Sequence, residues 1–310
     1  MNEHVARSFR PQAEVSSQIA PSTDSRRRSG AIRPIQEVKP SPLRVIFKRL
    51  AGRKIVEMIR ERRNLKYHHD ELNDKGWQKS LISGESIDYN GPVPWVTYPA
   101  LKFIERLVSP QLKVFEYGCG NSSLWWSSKA ASVVSVEHDA RWAENVANRA
   151  PPHLRVVLRQ MNDAADPNLL RMADEFFARN PDLPTSGYPE HDADSGLLCR
   201  EFTAYATEIG RYGPGYFDGV VIDGMARGLS TWMAVNYIKD SGFIIFDNSD
   251  RWQYNCAYRI LSEFGFKRID LHGLGPGRAI EWCTTVYLRN LDAVPRAGEL
   301  PVGQEADLGW

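Results

Sequence analysis

The chain has 310 residues, of which 42% are hydrophobic and 25% charged, so there is enough apolar material for a sizeable folded core. A formal net charge of +1 argues against a nucleic-acid binder, and no apolar run approaches the roughly 18 residues of a membrane-spanning helix. No apolar secretory segment opens the chain, and a cytoplasmic location is the default expectation.

Charge is unevenly distributed. Residues 1–66 hold 16 Lys/Arg against 6 Asp/Glu, a net of +10, which leaves −9 for the remainder. Residues 1–40, rich in Pro and Ser and carrying Arg26-Arg27-Arg28, read as a disordered basic tail. Residues 41–91 read as a helical extension. Leu43, Ile46, Phe47 and Leu50, then Ile55, Met58 and Ile59, fall on apolar faces broken at Gly52. The preferred expectation is a helix packed on its own domain with a solvated basic face; peripheral contact with an anionic membrane through residues 43–66 is the alternative. His68, His69 and Asp70 are adjacent, so their side chains diverge and make a poor metal site. His68–Trp77 through Gly91–Pro99 reads as an ordered loop leading into a helix over 100–108.

Residues 92–290 then carry a strand-and-helix alternation, followed by a tail at 291–310. The first strand, Lys113-Val-Phe-Glu-Tyr, runs into Gly118-Cys-Gly120 and a helix capped by Asn121, Ser122 and Ser123. Such a loop presents backbone N–H groups to a ligand. Ser123 stands where a dinucleotide fingerprint needs its third glycine, which disfavours pyrophosphate, and Glu116 beside the loop favours a ligand with positive charge. The second strand, Ser132–Glu137, is a β-branched run of the kind buried on both faces, and its terminal acid follows Gly120 by 17 residues, where a ribose-binding acid belongs. Leu154–Leu158 is the third strand, followed by Asp163. Residues 164–212 make a long link, of which 184–194 lack periodicity, as in a lid. Tyr216–Gly224 and Gly242–Asn248 read as strands four and five, ending in Asp223 and in Asp247-Asn248, with a helix from Ser230 to Lys239 between them. After a helix over 254–264, the runs 266–271 and 284–289 have no helix between them and are expected to form an antiparallel hairpin at the sheet edge. Cys119, Cys199, Cys256 and Cys283 show neither metal nor disulfide spacing and read as free thiols.

The acid-x-Gly-x-Gly loop, the acid ending strand two and the antiparallel close resemble class I S-adenosylmethionine-dependent methyltransferases over residues 92–290. The resemblance implies an α/β fold: a Rossmann-like doubly wound sheet, mostly parallel with an antiparallel C-terminal strand, and helices on both faces. It implies S-adenosyl-L-methionine as cofactor. Glu116, Gly118, Gly120 and Asn121 would line its methionine end, Glu137 would hold the ribose, and Asp163 is the weaker adenine candidate. Trp95 and Tyr98 stand in the segment that covers the acceptor in such enzymes. The run of Asp223 with Asp247-Asn248 resembles the metal ligands of catechol O-methyltransferases and implies a Mg²⁺ site at these three residues.

Strand-end acids lie where open α/β sheets bind ligands, so Asp223 and Asp247 are the first catalytic bases to consider and His138 a third. Arg227 and Arg251 are placed to hold an anionic or sugar-like acceptor, or to pair with those same acids. The expected activity is methyl transfer to a hydroxyl or amine of a small molecule or glycan. Two other classes stay open: an NAD(P)-dependent oxidoreductase, and a non-catalytic nucleotide-binding protein held at a membrane surface.

Overall fold

The computed structural model describes residues 53–181 and 200–290. The chain divides into the units Met1–Ile59 and Arg60–Trp310, and the sheet belongs to the second. Residues 1–52, 182–199 and 291–310, which include the expected tails, the 184–194 lid and Cys199, lie outside the described residues.

Seven strands form one sheet: β1 (Lys113–Tyr117), β2 (Ser132–Glu137), β3 (Leu154–Leu158), β4 (Phe217–Ile222), β5 (Ile238–Asp247), β6 (Lys267–Gly273) and β7 (Trp282–Leu288). Their order is β3-β2-β1-β4-β5-β7-β6. The first five are mutually parallel, while β7 runs antiparallel between β5 and β6. This is the Rossmann-like sheet with an antiparallel close expected from the sequence. The chain leaves β1 toward β2 and β3 and later returns to place β4 on the other side of β1, so a crevice opens above the carboxyl ends of β1 and β4.

Alternation along each strand feeds two cores. Phe115 and Tyr117 of β1, with Val220 and Ile222 of β4, pack toward Phe176, Ala206 and Met233 on one face. Val114 and Val221 pack toward Ile104, Trp125 and Trp126 on the other. The supporting helices are α3 (Tyr98–Leu107), α4 (Asn121–Ser127), α5 (Ala140–Ala147), α6 (Pro167–Arg179), α7 (Thr203–Thr207), α8 (Arg227–Tyr237) and α9 (Asn255–Glu263). Helix α8 is buried at ten of its eleven positions, polar Arg227, Ser230 and Thr231 included, which fixes the loop that precedes it.

Three expectations change. The long link holds α6, which the sequence reading passed over. Asp166 caps it by accepting from Asn168 N, Pro167 opens it, and Ala173, Phe176 and Phe177 face the core. Strand five begins at Ile238 rather than Gly242, and the extra residues shift the β4–β5 register between Phe217 and Gly219. The extension forms α1 (Arg53–Asp74) and α2 (Trp77–Ser83). Leu65 and Tyr67 of α1 are 62% and 64% exposed, so this part of the helix buries no apolar stripe among the described residues, because Arg60, Glu61, Arg62, Arg63 and Lys66 ring it with charge. No described helix is long and apolar enough to cross a membrane.

Candidate active site

The loop after β1 turns at Gly118, whose φ of +95° favours glycine. A Cβ there would lie 3.2 Å from Gly224 Cα, and one on Gly224 would lie 2.0 Å from Tyr205 Oη and 2.8 Å from Gly118 N. The ends of β1 and β4 therefore pass backbone to backbone. Beneath the loop, Glu116 is fully buried. Its Oε2 accepts from Ser123 Oγ and from Ser135 Oγ (2.9 Å), while Oε1 has no partner. Burial pushes this carboxyl up to about 7, against the pull of the serine hydroxyls. Ser123 Oγ also accepts from Gly120 N at 3.1 Å, which closes the start of α4 inward.

A cavity of about 370 Å³ opens over this loop, walled by Gly118, Cys119, Glu137, His138, Trp142 and Gly224 among others. Glu137 Oε2 accepts from Cys119 N at 2.9 Å, and Oε1 accepts from the backbone N–H groups of His138 and Asp139. Burial would raise the Glu137 carboxyl, but the side-chain hydrogen bond from His138 and the backbone donors of Asp139 and Cys119 outweigh it and hold it below its ordinary value. His138 Nδ1 lies 2.7 Å from Glu137 Oε1, and this partner raises the imidazole above its ordinary value. Asp139 caps α5 through Trp142 N, and the Trp142 indole, half exposed, donates to Cys119 O across the cavity mouth.

A second cavity, of about 490 Å³, adjoins the first at Asp223 and Arg227, which line both. Trp95, Asp247, Asn248, Arg251, Arg278 and Trp282 complete most of its wall. Long-range bonds assemble it. Thr97 Oγ1 donates to Leu271 O and Tyr98 N to Leu274 O, both at 2.8 Å, tying the Trp95 segment to the β6–β7 hairpin. Two residues just past strands four and five, Ala226 (φ +49°) and Asn248 (φ +52°), hold left-handed backbone, a strained state that collects at functional sites. Arg227, 3% exposed, locks both turns. Its Nε donates to Gly224 O (3.1 Å), Nη1 to Asp247 O, and Nη2 to Asp223 O and Oδ1 (both 3.0 Å). Its plane also lies 5.0 Å from the Tyr254 ring centroid.

Asp223 follows β4 with a side chain one-third exposed. Burial and then the neighbouring Asp247 carboxylate push its carboxyl above the ordinary range, against Arg227; its contact with solvent moderates the rise. Asp247 is 3% exposed and raised by burial, although Arg227 and two donors oppose this. Those donors are Trp282 Nε1 (2.9 Å) and Thr284 Oγ1 (2.5 Å), both on Asp247 Oδ1.

The expected residues thus converge unevenly. Gly118, Glu137, Asp223, Arg227, Asp247, Asn248, Arg251 and Trp95 line the two cavities. Asp163 lines neither: it is exposed and accepts from Gln160 N (2.7 Å) as a turn cap. Tyr98 lies outside the second cavity, buried at the start of α3. Glu116 sits beneath the loop, Gly120 ends it where a Cβ would lie 3.7 Å from Trp142 Nε1, and Asn121 faces the N-terminal segment, donating to Ser86 O at 3.1 Å. The proposed Mg²⁺ ligands do not fit a cation. Asp223 Oδ1 and, more distantly, Asn248 Oδ1 face the Arg227 guanidinium, and Asp247 Oδ1 is taken by Trp282 and Thr284. Among the described residues no group of three or more His, Cys, Asp or Glu side chains could hold a metal ion. Trp142, Gly224, Arg278 and Trp282 went unread. The Asp-Gly pair at 223–224 was the one available signal, since an extra glycine at a strand end marks close backbone approach.

No protein-family model matches the chain, and no curated protein matches it. Among solved structures it is similar to spermidine synthase from Thermotoga maritima (11% identity, 61% of this chain and 56% of that one, TM-score 0.37). It is also similar to a methyltransferase-like protein from Silicibacter pomeroyi (19%, 61% and 84%, TM-score 0.35). A third is the precorrin-6y C5,15-methyltransferase from Geobacter metallireducens (13%, 61% and 87%, TM-score 0.36). The chain spans just over half the length of the spermidine synthase. The fold assignment rests on strand order and register themselves.

Proposed function

We propose that this chain binds S-adenosylmethionine in the cavity over Gly118 and Glu137 and catalyses transfer of its methyl group to a hydroxyl, or an amine, of a small molecule or glycan in the adjoining cavity. The observation that carries this reading is that the two cavities meet at one partly exposed carboxyl, Asp223, above the crevice between β1 and β4. The residues fit the cofactor: an acid ends β2 at the cavity wall, a glycine turn leaves backbone open, and a buried carboxyl with one orphaned oxygen lies beneath. When bound, S-adenosylmethionine supplies an electrophilic methyl on a sulfonium.

Glu137 is held ionised by the His138 ring and the backbone donors of Cys119, His138 and Asp139, and so presents a fixed anion to ribose hydroxyls. Trp142 offers an apolar face at the cavity mouth. Asp223 accepts the proton of the acceptor hydroxyl as the oxygen attacks, and its raised affinity for protons makes it a stronger base than an ordinary carboxylate. Arg227 positions Asp223 from behind. The wall from Trp95 to Trp282 holds the acceptor in line and excludes water. A dinucleotide reading is less well supported, because Ser123 Oγ takes up Gly120 N, a donor that a pyrophosphate would use. The test is incubation of the full chain with methyl-labelled S-adenosylmethionine and a panel of hydroxyl and amine acceptors. Label in an acceptor, lost in Asp223→Asn, supports the proposal; a folded chain that binds no cofactor overturns it.

A further inference from the structure

We infer that the acceptor carries an anionic group, a carboxylate or a phosphate, received by Arg278 and Arg251 in the part of the 490 Å³ cavity away from the cofactor cleft; this rests on the methyl-transfer reading above. The argument begins with the charges lining that cavity. Three arginines line it, but Arg227 is spent: its donors are committed to the carbonyls of Asp223, Gly224 and Asp247 and to Asp223 Oδ1. Arg278 is the reverse case. Its backbone is fixed, since its carbonyl accepts from Trp77 Nε1 at 2.8 Å and the preceding Gly277 (φ +61°) packs against Ser80 and Leu81. Its guanidinium is exposed, lies 5.5 Å from the Trp95 ring centroid, and has no hydrogen-bond or ion-pair partner among the described residues. A guanidinium resting on an indole keeps its N–H edge available for two-point binding of a carboxylate or phosphate.

The acids in the same cavity do not cancel Arg278. Asp223 is paired with Arg227, and Asp247 receives two hydrogen bonds on one oxygen. Glu281 is the one remaining lining acid, and it is exposed at the rim. The walls suit a body with an apolar face: Asp247 fixes the Trp282 ring, and Trp95 and Ile280 contribute to the same lining. An acceptor with an anion at the arginines and a nucleophile at Asp223 uses the whole cavity.

The test uses the full chain saturated with S-adenosylhomocysteine and titrated calorimetrically with two matched pairs: 4-hydroxybenzoate against 4-hydroxybenzyl alcohol, and glucose 6-phosphate against glucose. The expected result is that the anionic member of at least one pair binds about tenfold or more tightly than its neutral partner, as charge-assisted hydrogen bonds allow. Arg278→Ala and Arg251→Ala should each remove most of that preference with S-adenosylhomocysteine affinity unchanged, and Arg278→Lys should restore part of it. Gly275→Ala is a second probe of the loop, since its Cβ would lie 2.2 Å from Trp282 and 2.5 Å from Val96 O. It should weaken anion binding while Arg278 remains in place. Equal binding of both members, no binding of either anion, or a preference that survives Arg278→Ala overturns the inference. Anion binding at Arg278 in a chain that fails to bind S-adenosylhomocysteine would instead overturn the methyl-transfer reading and leave the anion site standing.

Discussion

Arg227→Ala removes the cation that joins the ends of β4 and β5 and leaves Asp223 Oδ1 and the carbonyls of Asp223, Gly224 and Asp247 short of a donor. Removing one partner of a buried pair costs about 3–5 kcal/mol. Here the lower end applies, about 3 kcal/mol, because Asp223 is one-third exposed and can be relieved by water or a proton. At about 2–4 °C per kcal/mol for a body of this size, the melting temperature should fall by about 6–12 °C. The loss should depend on pH in a definite sense. Asp223 is already held above its unfolded value, so the folded state binds its proton more tightly, and stability falls as pH rises through the interval between the two values. Without Arg227 the folded value rises further and that interval extends upward. The gap between variant and wild type should therefore be wide near about pH 8 and narrow near about pH 5. Thermal unfolding followed by circular dichroism at both pH values measures this. Arg227→Lys should recover little, since an ammonium cannot reach several carbonyls and a carboxylate in one plane. A melting temperature within about 2 °C of wild type at both pH values, less than 1 kcal/mol on the same scale, would refute the strap.

Further predictions concern the loop and the base. Glu116 has a folded value of about 7 against 4.5 unfolded, so wild type should lose about 3 kcal/mol of stability as pH rises through that window. Glu116→Gln should abolish that part of the slope in urea unfolding, and an unchanged slope would contradict the buried carboxyl. Gly224→Ala places a methyl 2.0 Å from Tyr205 Oη and should cost at least about 2 kcal/mol. Adding Tyr205→Phe should recover only part of this, because Gly118 N remains 2.8 Å from the new atom; full recovery would show that the backbones do not in fact touch. Asp223→Asn should lower kcat by about 10²–10⁴ with cofactor affinity unchanged and remove the acidic limb of the rate profile. Retention of that limb would assign the base elsewhere.

The sheet and the glycine loop were legible because both are local. Parallel strands buried on two faces leave continuous apolar runs such as 220–222 and 243–246, and Gly118 was conspicuous two residues after Glu116. Helix α6 was missed because its Asp-Pro cap sits inside a link whose later residues carry no period. The wall of the second cavity was hidden for a different reason: Trp95, Arg278 and Trp282 are brought together by hydrogen bonds between distant segments, and no spacing encodes them. The Asp223, Asp247 and Asn248 set looked like metal ligands because a sequence lists residue types and not their partners. In the fold, Arg227 already faces the oxygens of Asp223 and Asn248. The turn-cap bond of Asp163 was hidden in the same way, since a strand-end acid and a turn cap look alike until the backbone donor at Gln160 is seen.

The central claim, a cofactor cavity organised by Gly118 and Glu137, is tested most directly by calorimetric titration of the full chain with S-adenosylhomocysteine, in parallel with Glu137→Ala and Glu137→Gln. The account predicts micromolar binding by wild type and at least about a tenfold loss in both variants, the scale of a charge-assisted hydrogen bond to a hydroxyl, with Mg²⁺ and EDTA making no difference. No binding by a folded wild-type chain, or binding indifferent to Glu137, would contradict it.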